Sequence, residues 1–199
     1  MLLSEIIKPS EKIIFKKIEK ECSSFVRDMK AADKVLYRGM NSSKGNYIED
    51  QSRNNRFPTD TETDIQEKFD KILKDNGFKA LRSNSIFVTS GREYASDYIN
   101  GSAIQKIVRD LYLIFPKNGY SFTWSNKKVD WVIKRKEISK PEGFIKRYDL
   151  RNTDMLGALK SEHEIYIHGR FIGLQWDRYE EKVIEYFGLT EESVMGGSF

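Results

Sequence analysis

Two glutamates one residue apart, Glu162 and Glu164, stand in KSEHEIYIHG (residues 160–169) at the mouth of an apolar run. Side chains of a strand alternate between faces. Read as a strand, EHEIYIH places Glu162, Glu164, Tyr166 and His168 on one side and His163, Ile165 and Ile167 on the other. Paired carboxylates on one face can divide the work of glycosyl transfer. One stabilises an oxocarbenium-like centre, and the other orients or deprotonates the incoming nucleophile. A metal site does not suit the same residues, and none is expected. His163 and His168 stand in HExxxH, not in the HExxH that puts two imidazoles on one helical face. Their spacing is about 500° of helical rotation, and a strand would turn them to opposite sides.

If the leaving group belongs to a dinucleotide, the chemistry needs three more parts. These are a cation for the pyrophosphate, a small polar group to hold the catalytic carboxylate, and an aromatic surface for the departing ring. Candidates follow in chain order. Arg38 closes the strand-like LYRG and precedes Gly39, where the lack of a Cβ lets the backbone come close to a ligand. Thr89 and Ser90 end IFVTS. Tyr98 lies in REYASDYI, one helical face along from Tyr94 and Ala95.

The elements that must position these residues are legible from periodicity. From Ser10 to about Lys30, Ile14, Ile18, Cys22, Phe25 and Met29 recur every three or four positions, which predicts an amphipathic helix. DKVLYRGM predicts a short strand, and the polar stretch from Asn41 to Thr61 a long surface loop. Ile65, Phe69, Ile72 and Leu73 predict a second helix, stopped by Asn76-Gly77. SIFVTS and DLYLIFP read as strands. Asn118-Gly119 then predicts a hairpin turn into YSFTWS. EIYIHG and RFIGLQW read as consecutive strands around Gly169, and DRYEEKVIEYFG as a closing helix. The order predicts an α+β chain with a mainly antiparallel sheet, as one domain over 1–199: a helical segment at 1–32 and a core at 33–190.

Arginine at a first strand, a Ser/Thr-rich strand, and Glu-x-Glu at a later strand, in that order, resemble the Arg-Ser-Glu class of mono-ADP-ribosyltransferases. LYRG, IFVTS and SEHE carry the resemblance, which spans about Val35 to Trp176. SRNNRFPTDT and RSNSIFVTS are also similar to ADP-ribosyltransferase-like proteins of bacteriophages. The resemblance implies an ADP-ribosyltransferase-like fold, with two packed, mostly antiparallel sheets and an N-terminal helical layer. It also implies NAD as the substrate. Arg38, with Gly39 beside it, would meet the NAD phosphates, and Thr89 and Ser90 would position the catalytic glutamate. Glu164 would stabilise the cation formed as nicotinamide leaves, Glu162 would activate an acceptor, and Tyr98 would stack on nicotinamide. A glutamate at the place of Glu162 goes with arginine acceptors on proteins. Two positions depart from the family pattern: Val88 stands for the first serine of Ser-Thr-Ser, and Leu159 for an aromatic ahead of the glutamates.

Composition bounds the rest. The 199 residues are 39% hydrophobic and 13% aromatic, enough for a sizeable core, and the net charge is +4. One cysteine, Cys22, can build no internal disulfide framework and reads as a buried thiol. No apolar run approaches the ~18 residues of a membrane span, so a cytoplasmic protein is expected, in the host cytoplasm if phage-encoded. Lys134, Arg135, Lys136, Lys140, Lys146 and Arg147, with Phe144 and Tyr148 interleaved, form a basic cluster that suits a nucleic-acid backbone or a solvated helix face. Three other activities fit the same residues: an NAD glycohydrolase, transfer to nucleic acid, and a non-catalytic protein of this fold that binds a nucleotide, nucleic acid or host protein.

Overall fold

The computed structural model describes residues 7–56, 62–92, 94–95, 109–127 and 143–190. Tyr98, Trp131 and the first four residues of the basic cluster lie outside them. The first helical period is split in two, α1 (Pro9–Glu21) and α2 (Ser23–Ala32), with an elbow at Cys22 where φ is −119°. Pro9 opens α1 at the position where its missing N–H costs nothing. Glu11 accepts from the Lys8 N–H at 2.9 Å. Phe15, Ile18, Cys22, Phe25 and Met29 face inward and are fully buried, so one apolar stripe survives the elbow.

Eight strands follow in chain order: β1 (Tyr37–Asn41), β2 (Tyr47–Gln51), β3 (Ile86–Thr89), β4 (Arg109–Pro116), β5 (Ser121–Ser125), β6 (Leu150–Arg151), β7 (Glu164–His168) and β8 (Arg170–Gln175). Between them lie α3 (Thr63–Asp75), the single turn α4 (Phe144–Arg147) and α5 (Met155–Ser161), and α6 (Trp176–Phe187) closes the described chain. The strands form one antiparallel sheet in the order β2-β8-β4-β1-β3-β7-β5-β6. This corrects the expectation of two packed sheets. The four strands β2, β8, β4 and β1 pair along most of their lengths, as do β3 with β7 and β7 with β5, but the two halves meet edge to edge through one partner pair, Tyr37↔Thr89.

Two further expectations change with the topology. The Asn118-Gly119 turn makes no hairpin: β4 pairs with β1 and β8, whereas β5 pairs with β7 and β6. Asn118 is fastened to the α1–α2 elbow instead. Its N–H donates to Glu21 O at 2.7 Å, and its Oδ1 accepts from the Ser24 N–H at 3.1 Å. The chain therefore crosses from one half-sheet to the other here, and it crosses back at Gly169 between β7 and β8. Gly169 has φ +138°, and a Cβ there would come within 3.2 Å of Tyr120 Cα, so the two crossings lie one on the other. The polar stretch after β1 is not all loop. Tyr47–Gln51 adds β2 to the sheet edge beside β8. Glu49, Asp50 and Gln51 hid it from a search for apolar alternation, because an edge strand tolerates charge that an inner strand does not.

The main apolar cluster joins α1, α2 and α6 to the sheet, with Phe115 between Phe25 (ring centroids 6.2 Å apart) and Phe187 (6.1 Å). A second cluster packs α3, with Phe69 and Leu73, onto Phe87 and Tyr166. Alternation along β3 and β7 produces this division. Val88 and Ile165 belong to the first cluster, and Phe87 and Tyr166 to the second.

Candidate functional site

The seam between the half-sheets gathers most of the residues singled out above. β1 brings Arg38 to it, and the half-buried guanidinium donates from Nη1 to Phe87 O of β3 at 2.7 Å. That bond crosses the seam beside the Tyr37↔Thr89 pair. Gly39 sits in the regular ladder opposite Leu111. On the other side of β3, Thr89 is the partner of Glu164, the first residue of β7. Tyr37, Thr89 and Glu164 are therefore successive partners across three strands.

Glu162 is placed differently from its sequence pattern. The strand begins at Glu164, and Glu162 lies outside it as the C-cap of α5, in the left-handed region at φ +58°. The two carboxylates are thus not set side by side by strand alternation. A helix end supplies one and a strand start the other. A non-glycine residue in that region is strained, and the surroundings hold the turn. Thr89 Oγ1 donates to Glu162 O at 2.8 Å and accepts from the Gly91 N–H at 3.0 Å. Ser90 Oγ donates to Leu159 O at 2.5 Å. Both hydroxyl residues are almost fully buried, and together they brace the segment that carries both glutamates. Val88 and Leu159, the two departures from the family pattern, are buried in the main core.

Two residues that sequence reasoning passed over complete the seam. Lys34, in the link between α2 and β1, pairs its Nζ with Glu162 Oε1 at 2.8 Å. Nothing local marks it, since its partner lies far along the chain. Gly91 could have been suspected from its position after the hydroxyl pair. A Cβ there would lie 3.1 Å from Glu162 O and 3.2 Å from Glu162 Cβ, so the glycine allows the Glu162 turn to close on β3.

The histidines are structural. His163 Nδ1 lies 3.0 Å from Ser125 O, and His168 Nδ1 lies 2.9 Å from Asn84 O and 3.1 Å from Ser52 Oγ. Cys22 is also inert: burial pushes its thiol up to about 12. Beneath the seam, Glu180 of α6 is pushed up to about 7 by burial, against the pull of Arg92. Arg92 follows Gly91 and lies over the Trp176 ring, 4.5 Å from its centroid. Among the described residues, no group of His, Cys, Asp and Glu could hold a metal ion, and no helix is long and apolar enough to cross a membrane.

The seam can do three things chemically. It can present a guanidinium to an anion, a carboxylate at the start of a strand to a developing cation, and a second carboxylate, already matched to an ammonium, to a cationic nucleophile. Comparison with protein-family models, with curated proteins and with solved structures gives no match.

Proposed function

We propose that this chain transfers ADP-ribose from NAD to an acceptor, with the side chain of a protein arginine favoured. The observation that carries the proposal is the meeting at one seam of Arg38, Thr89, Ser90, Glu162 and Glu164, which come from three separated stretches of the chain. In this reaction Arg38 meets the pyrophosphate, where a planar guanidinium can bind two oxygens at once. Glu164 faces the ribose carbon as the bond to nicotinamide lengthens. A fixed carboxylate stabilises that developing charge without reorganising. Thr89 and Ser90 are positioning residues that hold the backbone on either side of Ser161.

Glu162 receives the acceptor. Its ion pair with Lys34 is the same chemical partnership that an arginine side chain would offer. The acceptor therefore exchanges one cation for another, and no carboxylate has to lose its partner without replacement.

The test is incubation of the full chain with labelled NAD and a cell extract, with nuclease and protease arms. Label on protein is expected. Label on nucleic acid, free ADP-ribose alone, or no turnover would select transfer to nucleic acid, glycohydrolysis or a binding protein instead. Glu164→Gln should lower all turnover at least a hundredfold, in the range found when one preorganised electrostatic group is removed, about 10²–10³. Glu162→Gln should cost transfer more than NAD hydrolysis. Full activity in Glu164→Gln removes the assignment.

A further inference from the structure

Away from the seam, a cavity of about 440 Å³ runs along α3, with Ser83 and residues 55–56 opposite the helix. Its volume lies within the ~300–1,000 Å³ usual for small-molecule sites. Gln66, Asp70 and Lys74 line it at four-residue steps, which places them on one helical face. Two of its acids are already matched. Asp70 accepts from the Arg82 N–H at 2.8 Å and the Ser83 N–H at 3.1 Å, and Asp75 pairs with Lys71 at 2.7 Å.

Gln66 is different. It is 5% exposed, and its Nε2 donates to Arg56 O at 2.9 Å. That bond fixes the amide, because the flipped group would set two oxygens against each other. The Oε1 is left buried, with no hydrogen-bond partner among the described residues. A buried amide oxygen without a donor is destabilising, and a ligand N–H delivered to it would relieve that cost. Lys74 stands eight residues on, about 12 Å along the helix axis, and Lys71 lies one turn before its end.

We propose that this cavity binds a nucleoside monophosphate. The base donates an amine or ring N–H to Gln66 Oε1, and the phosphate, one sugar away, reaches the ammonium groups of Lys71 and Lys74. Neither end belongs to the seam, so the site does not depend on the ADP-ribosyl transfer proposed above.

Calorimetric titration of the full chain with AMP, GMP, CMP and UMP, and with inorganic phosphate as a control, tests this. At least one nucleotide should bind. Gln66→Met should weaken it about tenfold, the worth of one buried hydrogen bond. Lys74→Ala, on the exposed rim, should weaken it a few-fold and flatten its salt dependence. Arg38→Ala should leave the affinity unchanged. Lys74→Ala reads out the site even if Gln66→Met fails to fold. The proposal is overturned if no nucleotide binds below millimolar concentration, if phosphate alone binds as tightly, or if both α3 variants bind normally. A nucleotide lost in Arg38→Ala but kept in Gln66→Met would belong to the seam, which would sink this site while favouring the NAD reading.

Discussion

The two halves of the sheet are held by different means. In the β2-β8-β4-β1 half, strands of five to eight residues pair along most of their length, and β4 is buried from Leu111 to Pro116. Three helices cover this half through the main apolar cluster. In the β3-β7-β5-β6 half the strands run from two to five residues, and α3 adds its own smaller cluster on the opposite face. One half resembles a scaffold built from continuous burial. The other buries its strands as well, with Val88 and Ile165 in the main cluster and Phe87 and Tyr166 in the second. It is stitched further by side-chain bonds to backbone carbonyls: Ser125 Oγ to Tyr148 O at 2.5 Å, Thr123 Oγ1 to Ala80 O at 2.7 Å, Ser90 Oγ to Leu159 O at 2.5 Å, and Thr89 Oγ1 to Glu162 O at 2.8 Å. The candidate site lies where the two meet. The arginine stands on the half with the longer strands, and the carboxylates on the half braced by these side-chain bonds.

That contrast can be broken experimentally. The largest effect should come from Phe115→Ala, which empties the contact between α2, α6 and β4. It should cost about 3–5 kcal/mol in denaturant unfolding. A loss below 2 kcal/mol would mean that the scaffold half does not depend on this packing. In the stitched half, Ser90→Ala and the nearly isosteric Thr89→Val should each cost about 1–3 kcal/mol, because each leaves a buried backbone group without its partner. Both should also lower turnover of NAD by letting the Glu162 turn move. Unchanged unfolding midpoints in both variants would show that the hydroxyls do not hold the seam.

The smallest effect is one of pH. Burial raises the Glu180 carboxyl to about 7. The folded state therefore keeps a proton that the unfolded state releases near 4.5. Stability from this group is fully present below about 4.5 and is lost as pH rises towards 7, where a charge must sit half-buried among Arg92, Asp177 and Glu181. Glu180→Gln should accordingly stabilise the protein above pH 7, on the order of 1 kcal/mol after solvent screening, and change little below pH 4.5. A pH-independent difference between the two proteins would exclude this account. The acidic edge behaves with the opposite sign. Lys117, Lys17 and Tyr47 hold the Glu49 carboxyl down at about 2, so its contribution disappears only in acid.

Much of this was written in local pattern. α3 and α6 follow from their apolar spacing and from the glycines that end them: Gly77 at φ +81° and Gly188 at φ +69°. β3, β4, β7 and β8 follow from short apolar runs. The hydroxyl pair and the arginine were also visible as types at the ends of strands. Pairing was not visible. Asn118-Gly119 carries a hairpin signal, yet it serves a crossing, because the bonds that hold Asn118 come from the α1–α2 elbow, ninety-odd residues earlier. β2 lacks an apolar signal because its charged residues sit at an edge, where Lys17 and Lys117 pair with Glu49 and Lys44 pairs with Asp50. EHE alternates as a strand does, whereas the helix cap that Glu162 forms at φ +58° has no signature in residue spacing.

The sequence alone determined most of the helical and extended segments, which of their faces are apolar, and which side chains are chemically able to meet a phosphate, a cation or an acceptor. Only the tertiary structure decided that eight strands share one sheet with a seam at Tyr37↔Thr89, that Lys34 rather than a neighbour in sequence matches Glu162, and that Gln66 keeps a buried oxygen without a donor among the described residues. The reason is range. Backbone propensity and side-chain period act over a few residues, whereas strand order, ion pairing and orphaned polar groups depend on contacts between segments whose separation along the chain leaves no local trace.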